Sequence, residues 1–91
     1  MTPAMRELLA VAAENADVPH PANWDDREAH ARVMGNRLNS LHVILSSLSR
    51  EPHWNASHLR AQAGLLREWL EQSPVIYEPY VHAKTRQEKS S

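Results

Sequence analysis

An all-α fold is predicted for this chain of 91 residues by two features of the sequence. Apolar residues recur three and four apart along three stretches, and prolines and asparagines punctuate the chain between them. The predicted architecture is an antiparallel helical hairpin, made of a long second helix and a third helix, joined by a short N-terminal helix. Together they form a three-helix bundle per chain that assembles as a dimer or higher oligomer.

The first helix is read from about Pro3 to Ala16. Thr2 supplies a capping hydroxyl, Pro3 a ring already fixed at helical φ, and Met5, Leu8, Leu9, Ala12 and Ala16 follow at helical spacing. Pro19 and Pro21 then disfavour helix, so Asp17 to Asn23 is expected as an extended connector, of a length ordinary in helical bundles.

The second helix runs from Asn23, a candidate cap, to Pro52, with Asp25 and Asp26 placed where the positive end of the helix dipole favours carboxylates. At 1.5 Å per residue it is roughly 40 Å long. Ala31, Met34, Leu38, Leu41, Leu45 and Leu48 alternate three and four apart and predict a seam along one neighbouring helix. The third helix follows a short turn, with Asn55 or Ser57 as cap, and ends before Pro74. Its own seam is Ala56, Leu59, Ala63, Leu66 and Leu70. Zipping the two seams antiparallel sets Leu48 opposite Leu59, Leu41 opposite Leu66 and Leu38 opposite Leu70.

Leu65 and Trp69 widen the apolar arc of the third helix to about half its circumference, more than one partner covers. The first helix is too short to cover the second along its whole length, and this surplus apolar surface is the argument for a second chain. Val75, Ile76, Tyr77, Tyr80 and Val81 lie among prolines in an arm expected to be extended and docked on its own hairpin or on a neighbouring subunit. Residues 1–81 thus form one domain, and 82–91, almost without apolar content, are expected as a disordered tail.

Composition narrows the function classes. Ten basic and eleven acidic residues leave a net charge of −1, which provides no field of one sign for a phosphate backbone, so nucleic acid is not the default partner. The absence of cysteine removes disulfides, thiolate metal sites and cysteine nucleophiles, and fits a reducing cytoplasm. No apolar run approaches the about 20 residues of a spanning helix. Arg6 and Glu7 interrupt the apolar residues near Met1, so neither a secretory signal nor a membrane partner is expected.

Six histidines raise the question of a metal, with His53 and His58, or Asp26 and His30, as the closest pairs. Neither makes a complete ligand set, and no metal or other cofactor is expected. His42 and Ser46 lie one turn apart without a third group or oxyanion donors, so no catalytic residue is assigned and the chain is read as non-enzymatic. Gly35 and Gly64 sit inside predicted helices at a cost of about 1 kcal/mol each relative to alanine, for which a close approach is the usual compensation.

Arg32, Asn36 and Asn39 near Gly35, and Arg60 and Arg67 around Gly64, are therefore candidate contacts for a small anionic or nucleotide-like ligand. The bland alternative is a solvated face, with Arg67 paired to Glu71 one turn on. A helix-turn-helix reading is weakened by Glu68 and Glu71 on the would-be recognition helix and by the lack of lysine before Lys84. Trp69 is expected in the core, while Trp24, Trp54, Tyr77 and Tyr80 are candidate partner-binding anchors.

The expected function is that of a homo-oligomeric helical interaction protein that binds another protein, such as a bacterial or phage regulator, adaptor or inhibitor. An oligomer sequestering a small anionic ligand is the first alternative, and a weak DNA-binding regulator the second.

Overall fold

The computed structural model describes residues 1–81. Three helices, α1 (Pro3–Ala16), α2 (Arg27–Arg50) and α3 (Ala56–Gln72), carry the fold, with a single 3₁₀ turn at Trp24–Asp26 before α2. Among the described residues the only β pairing is an isolated bridge between Pro21 and Pro79, so the fold is all-α. The expected tail, 82–91, lies outside the described residues.

Local chemistry sets the helix boundaries. The Thr2 hydroxyl accepts the Met5 N–H at 3.2 Å, and the Asn55 carboxamide oxygen accepts the His58 N–H at 2.8 Å. Asn23, expected as the cap of the second helix, makes no side-chain bond; the 3₁₀ turn intervenes, and Asp26 precedes α2 without capping it through its side chain. Replacing Asn55 with alanine orphans the His58 amide. A loss of about 1 kcal/mol is expected, read as a fall in Tm of about 4–8 °C in thermal unfolding.

Helix directions follow from two ion pairs. Arg60 approaches Glu7 at 3.9 Å, and Arg67 approaches Glu14 at 3.1 Å. The pairs are two turns apart in the same order on both helices, so α1 and α3 run parallel. Helix α2 runs against both, because Arg37 in its middle reaches the far ends of α1 and α3 while Leu48 near its end shares the core with Leu59 at the start of α3.

The core joins Ala4, Leu8 and Val11 of α1, Ile44 and Leu48 of α2, and Leu59, Ala63 and Leu66 of α3; Met5, Ala12, Leu41, Leu65, Trp69 and Leu70 pack against it. The most extensive pairing is α1 with α3, not the hairpin of α2 with α3 that the seams predict. Each of these two helices buries one alanine in the contact, Ala4 in α1 and Ala63 in α3.

The predicted seam of α2 is therefore corrected. Its inward face is Val33, Arg37, Ser40, Ile44 and Leu48, rotated from the Ala31–Leu48 seam. Leu48 and Leu59 do share the core, and Leu41 and Leu66 both belong to it or its edge. Leu38, expected against Leu70, is 69% exposed.

Because Arg37 sits level with the ends of α1 and α3, the first turns of α2 project past them. The connector and the arm cover that overhang. Ala22 N–H donates to Glu78 O at 2.8 Å and Tyr80 N–H to His20 O at 2.7 Å. Tyr77, buried between them, donates its hydroxyl to Pro19 O and stands edge-on to His30, 5.8 Å between ring centres. Of the two docking places expected for the arm, it takes its own chain.

Candidate functional site

Arg37 organises the end of the bundle from which the site opens. Its guanidinium is buried without a carboxylate partner and is satisfied by backbone carbonyls instead. Nε donates to Ser73 O at 3.1 Å, and Nη1 to Asp17 O at 3.2 Å and Glu14 O at 3.4 Å. These carbonyls belong to the C-terminal ends of α1 and α3, where the last C=O groups and the negative ends of two parallel dipoles coincide. One cation caps both helices, and this requirement fixes the rotation of α2.

That rotation leaves the apolar seam at the side of the bundle. Met34 (46% exposed), Leu38 and Leu45 (53% exposed) line up along α2 with the half-buried Leu41. Across from them lie Ala16 and Asn15 of α1 and Val18 of the connector. The groove formed there, from Ala31 to Leu41 and short of Leu45, holds about 810 Å³ and is lined also by His20, His30 and Gly35. A Cβ at Gly35 would meet nothing within 4 Å, and the same is true of Gly64. The close approach expected at these glycines is not made by any of the described residues.

Polar groups in the groove are few. Asn15 is fully buried and donates Nδ2 to Val11 O at 2.9 Å, while its Oδ1 and the Nε2 of His30 are buried without partners. The rings of His20 and His30 lie 5.4 Å apart. Burial of Tyr77 raises the pKa of its phenol, partly offset by the positive charge of Arg37. Among the described residues no three histidine, aspartate or glutamate side chains gather as a metal site.

The aromatic candidates separate into two groups. Trp24 is 77% exposed with the Arg27 guanidinium 5.1 Å over its ring. Trp54 is exposed but folds back, donating Nε1 to Leu48 O at 2.9 Å and so capping the end of α2. Tyr80 is exposed. Tyr77 is not a surface anchor: it is buried by its own chain, with its hydroxyl bonded to the connector, so its side chain serves the fold.

The five ligand candidates do not converge. Arg67 binds Glu14 through both terminal nitrogens, at 3.1 and 3.4 Å, in place of the expected partner Glu71. Glu14, by its hydrogen bond first and its charge second, raises the Arg67 pKa further. Arg60 is held near Glu7. Asn36 and Asn39 line a separate groove of about 500 Å³ between α2 and α3, with Ser40, Val43 and Trp69 but none of the three arginines. Arg32 is exposed and lines neither groove.

Sequence reasoning missed Arg37. Its signal was available in the four-three-four spacing of Val33, Arg37, Ser40 and Ile44, a helical stripe with two polar members. No described helix is long and apolar enough to cross a membrane. Comparisons of the chain with protein-family models, curated proteins and solved structures find no match.

Proposed function

We propose that this chain is a non-enzymatic helical interaction protein, acting as a homo-oligomeric adaptor, inhibitor or regulator. Its contact surface is the apolar strip of α2. The observation that carries this reading is the alignment of Met34, Leu38 and Leu45, each about half exposed or more, beside an open groove. Single exposed leucines are ordinary on a protein surface; a contiguous row of them marks a binding face. The exposed Trp24 lies on the turn leading into the same helix, and a large aromatic of this kind is suited to anchor a partner.

The ligand-sequestering alternative has no comparable support, since two of its three arginines are already paired to glutamates. The same pairing takes two cations away from a DNA-binding reading.

The test is photo-crosslinking in the producing cell, with a benzophenone side chain placed at Leu38 or Leu45 and, as control, at the exposed Ala13 of α1. The interaction reading expects discrete protein adducts at 38 and 45 and none at 13. Equal labelling at all three positions, or none at 38 and 45, overturns it.

A further inference from the structure

We infer that the groove between α1 and α2 is filled by α2 of a second copy of this chain, antiparallel to the first about a twofold axis lying between Leu38 and Leu41. This rests on the interaction reading and names the occupant of the same strip.

Spacing gives the first argument. The exposed apolar positions 31, 34, 38 and 45, with the half-buried 41 between them, alternate three and four apart, the repeat that keeps one helix in contact with another helix of the same repeat. Placed antiparallel about the stated axis, Leu38 packs on Leu41 of the partner subunit and Met34 on Leu45 of the partner subunit. The seam is then complementary to itself, as a twofold interface requires.

Charge gives the second. In this register Arg27, on the seam face at the start of α2, comes within one residue of level with Glu51 of the partner subunit. Both side chains are exposed in the single chain. The twofold repeats the pair at the opposite end of the interface.

Gly35 supplies a third. None of the described residues comes within 4 Å of the Cβ its side chain lacks, and on the wheel it borders the seam on the side where His42 of the partner subunit passes. The glycine thus gives room between chains.

The absence of native cysteine makes the arrangement directly testable with the full chain. Met34 and Leu45 are eleven residues apart, about 16 Å along the helix, beyond the reach of a disulfide within one chain. The variant carrying both Met34→Cys and Leu45→Cys should oxidise to a covalent dimer of twice 10.4 kDa that reductant returns to single chains. Either single variant should stay uncrosslinked, because its two cysteines also lie about 16 Å apart across the axis. Crosslinking of a single variant, or a ladder of higher species from the double one, overturns the register.

Light scattering on the unmodified chain should give twice the chain mass, and on Leu38→Glu the mass of one chain with unchanged helical circular dichroism. A single-chain mass for the unmodified protein overturns the second-copy assignment. If crosslinking at Leu38 in cells still yields an adduct with a different protein, the interaction reading stands and self-pairing alone falls.

Discussion

Arg37→Ala should be among the most damaging single substitutions in this chain. The change removes three hydrogen bonds from a charged donor to Ser73 O, Asp17 O and Glu14 O and takes away the group that ties the ends of α1 and α3 to α2. Hydrogen bonds to charged groups contribute about 1.5–3 kcal/mol each, and bonds sharing one group do not add fully. A loss of about 3 kcal/mol is expected, a large share of the stability of a small domain. Chemical denaturation reads it as a lower midpoint, and thermal unfolding as a fall in Tm of about 15 °C. Arg37→Lys should recover less than half of the loss, since an ammonium lacks the planar fork that reaches two helix ends at once. A change under about 0.5 kcal/mol in Arg37→Ala, the range of ordinary surface substitutions, would show that water caps those carbonyls adequately.

Leu66→Ala and Leu38→Ala delete the same atoms from two leucines with opposite environments, and the pair of variants should separate cleanly. Leu66 is 0% exposed at the meeting of all three helices, where a Leu→Ala change costs about 2–5 kcal/mol through lost burial and a residual cavity. Leu38 points to solvent from the side of α2. Measured at a protein concentration low enough to keep chains apart, Leu38→Ala should change stability by no more than about 0.5 kcal/mol. Its effect should emerge only as concentration rises and chains associate. Equal losses for the two variants at low concentration would make the strip part of the core and remove the interface argument with it.

Much of the fold was legible in the sequence because its punctuation is local. Thr2 and Pro3 start α1 where they should, Asn55 caps α3, and the prolines at 19, 21, 52 and 74 all fall outside helices. The antiparallel sense of α2 and α3, and the pairing of Leu48 with Leu59, also followed from spacing. The rotation of α2 did not. Two stripes of that helix were available, one wholly apolar and one containing Arg37 and Ser40, and apolarity alone selects the first.

The second faces inward because Arg37 meets an electrostatic need that appears only once α1 and α3 lie parallel with their C-termini together. No local pattern in either helix announces that arrangement. The same limit explains Arg67, whose partner by local spacing is Glu71 and by tertiary packing is Glu14. Tyr77 was legible as a large aromatic in an arm, but not as the group that closes the connector over α2. Trp24 and Tyr80, read from the sequence as partner anchors, are exposed.

The bridge between Pro21 and Pro79 bears on how the molecule resists misassembly. Its two bonds, Ala22 N–H to Glu78 O and Tyr80 N–H to His20 O, flank a pair of prolines whose ring nitrogens face outward on opposite margins of this short ribbon. Neither margin offers a donor at its centre, and a third strand laid against either would find a methylene where it needs an N–H. The one paired extended element among the described residues is thereby closed to edge-to-edge growth, the usual route from exposed strands to fibrous aggregates. In the twofold pairing proposed above, association is left to the helical side of the molecule and stops at two copies.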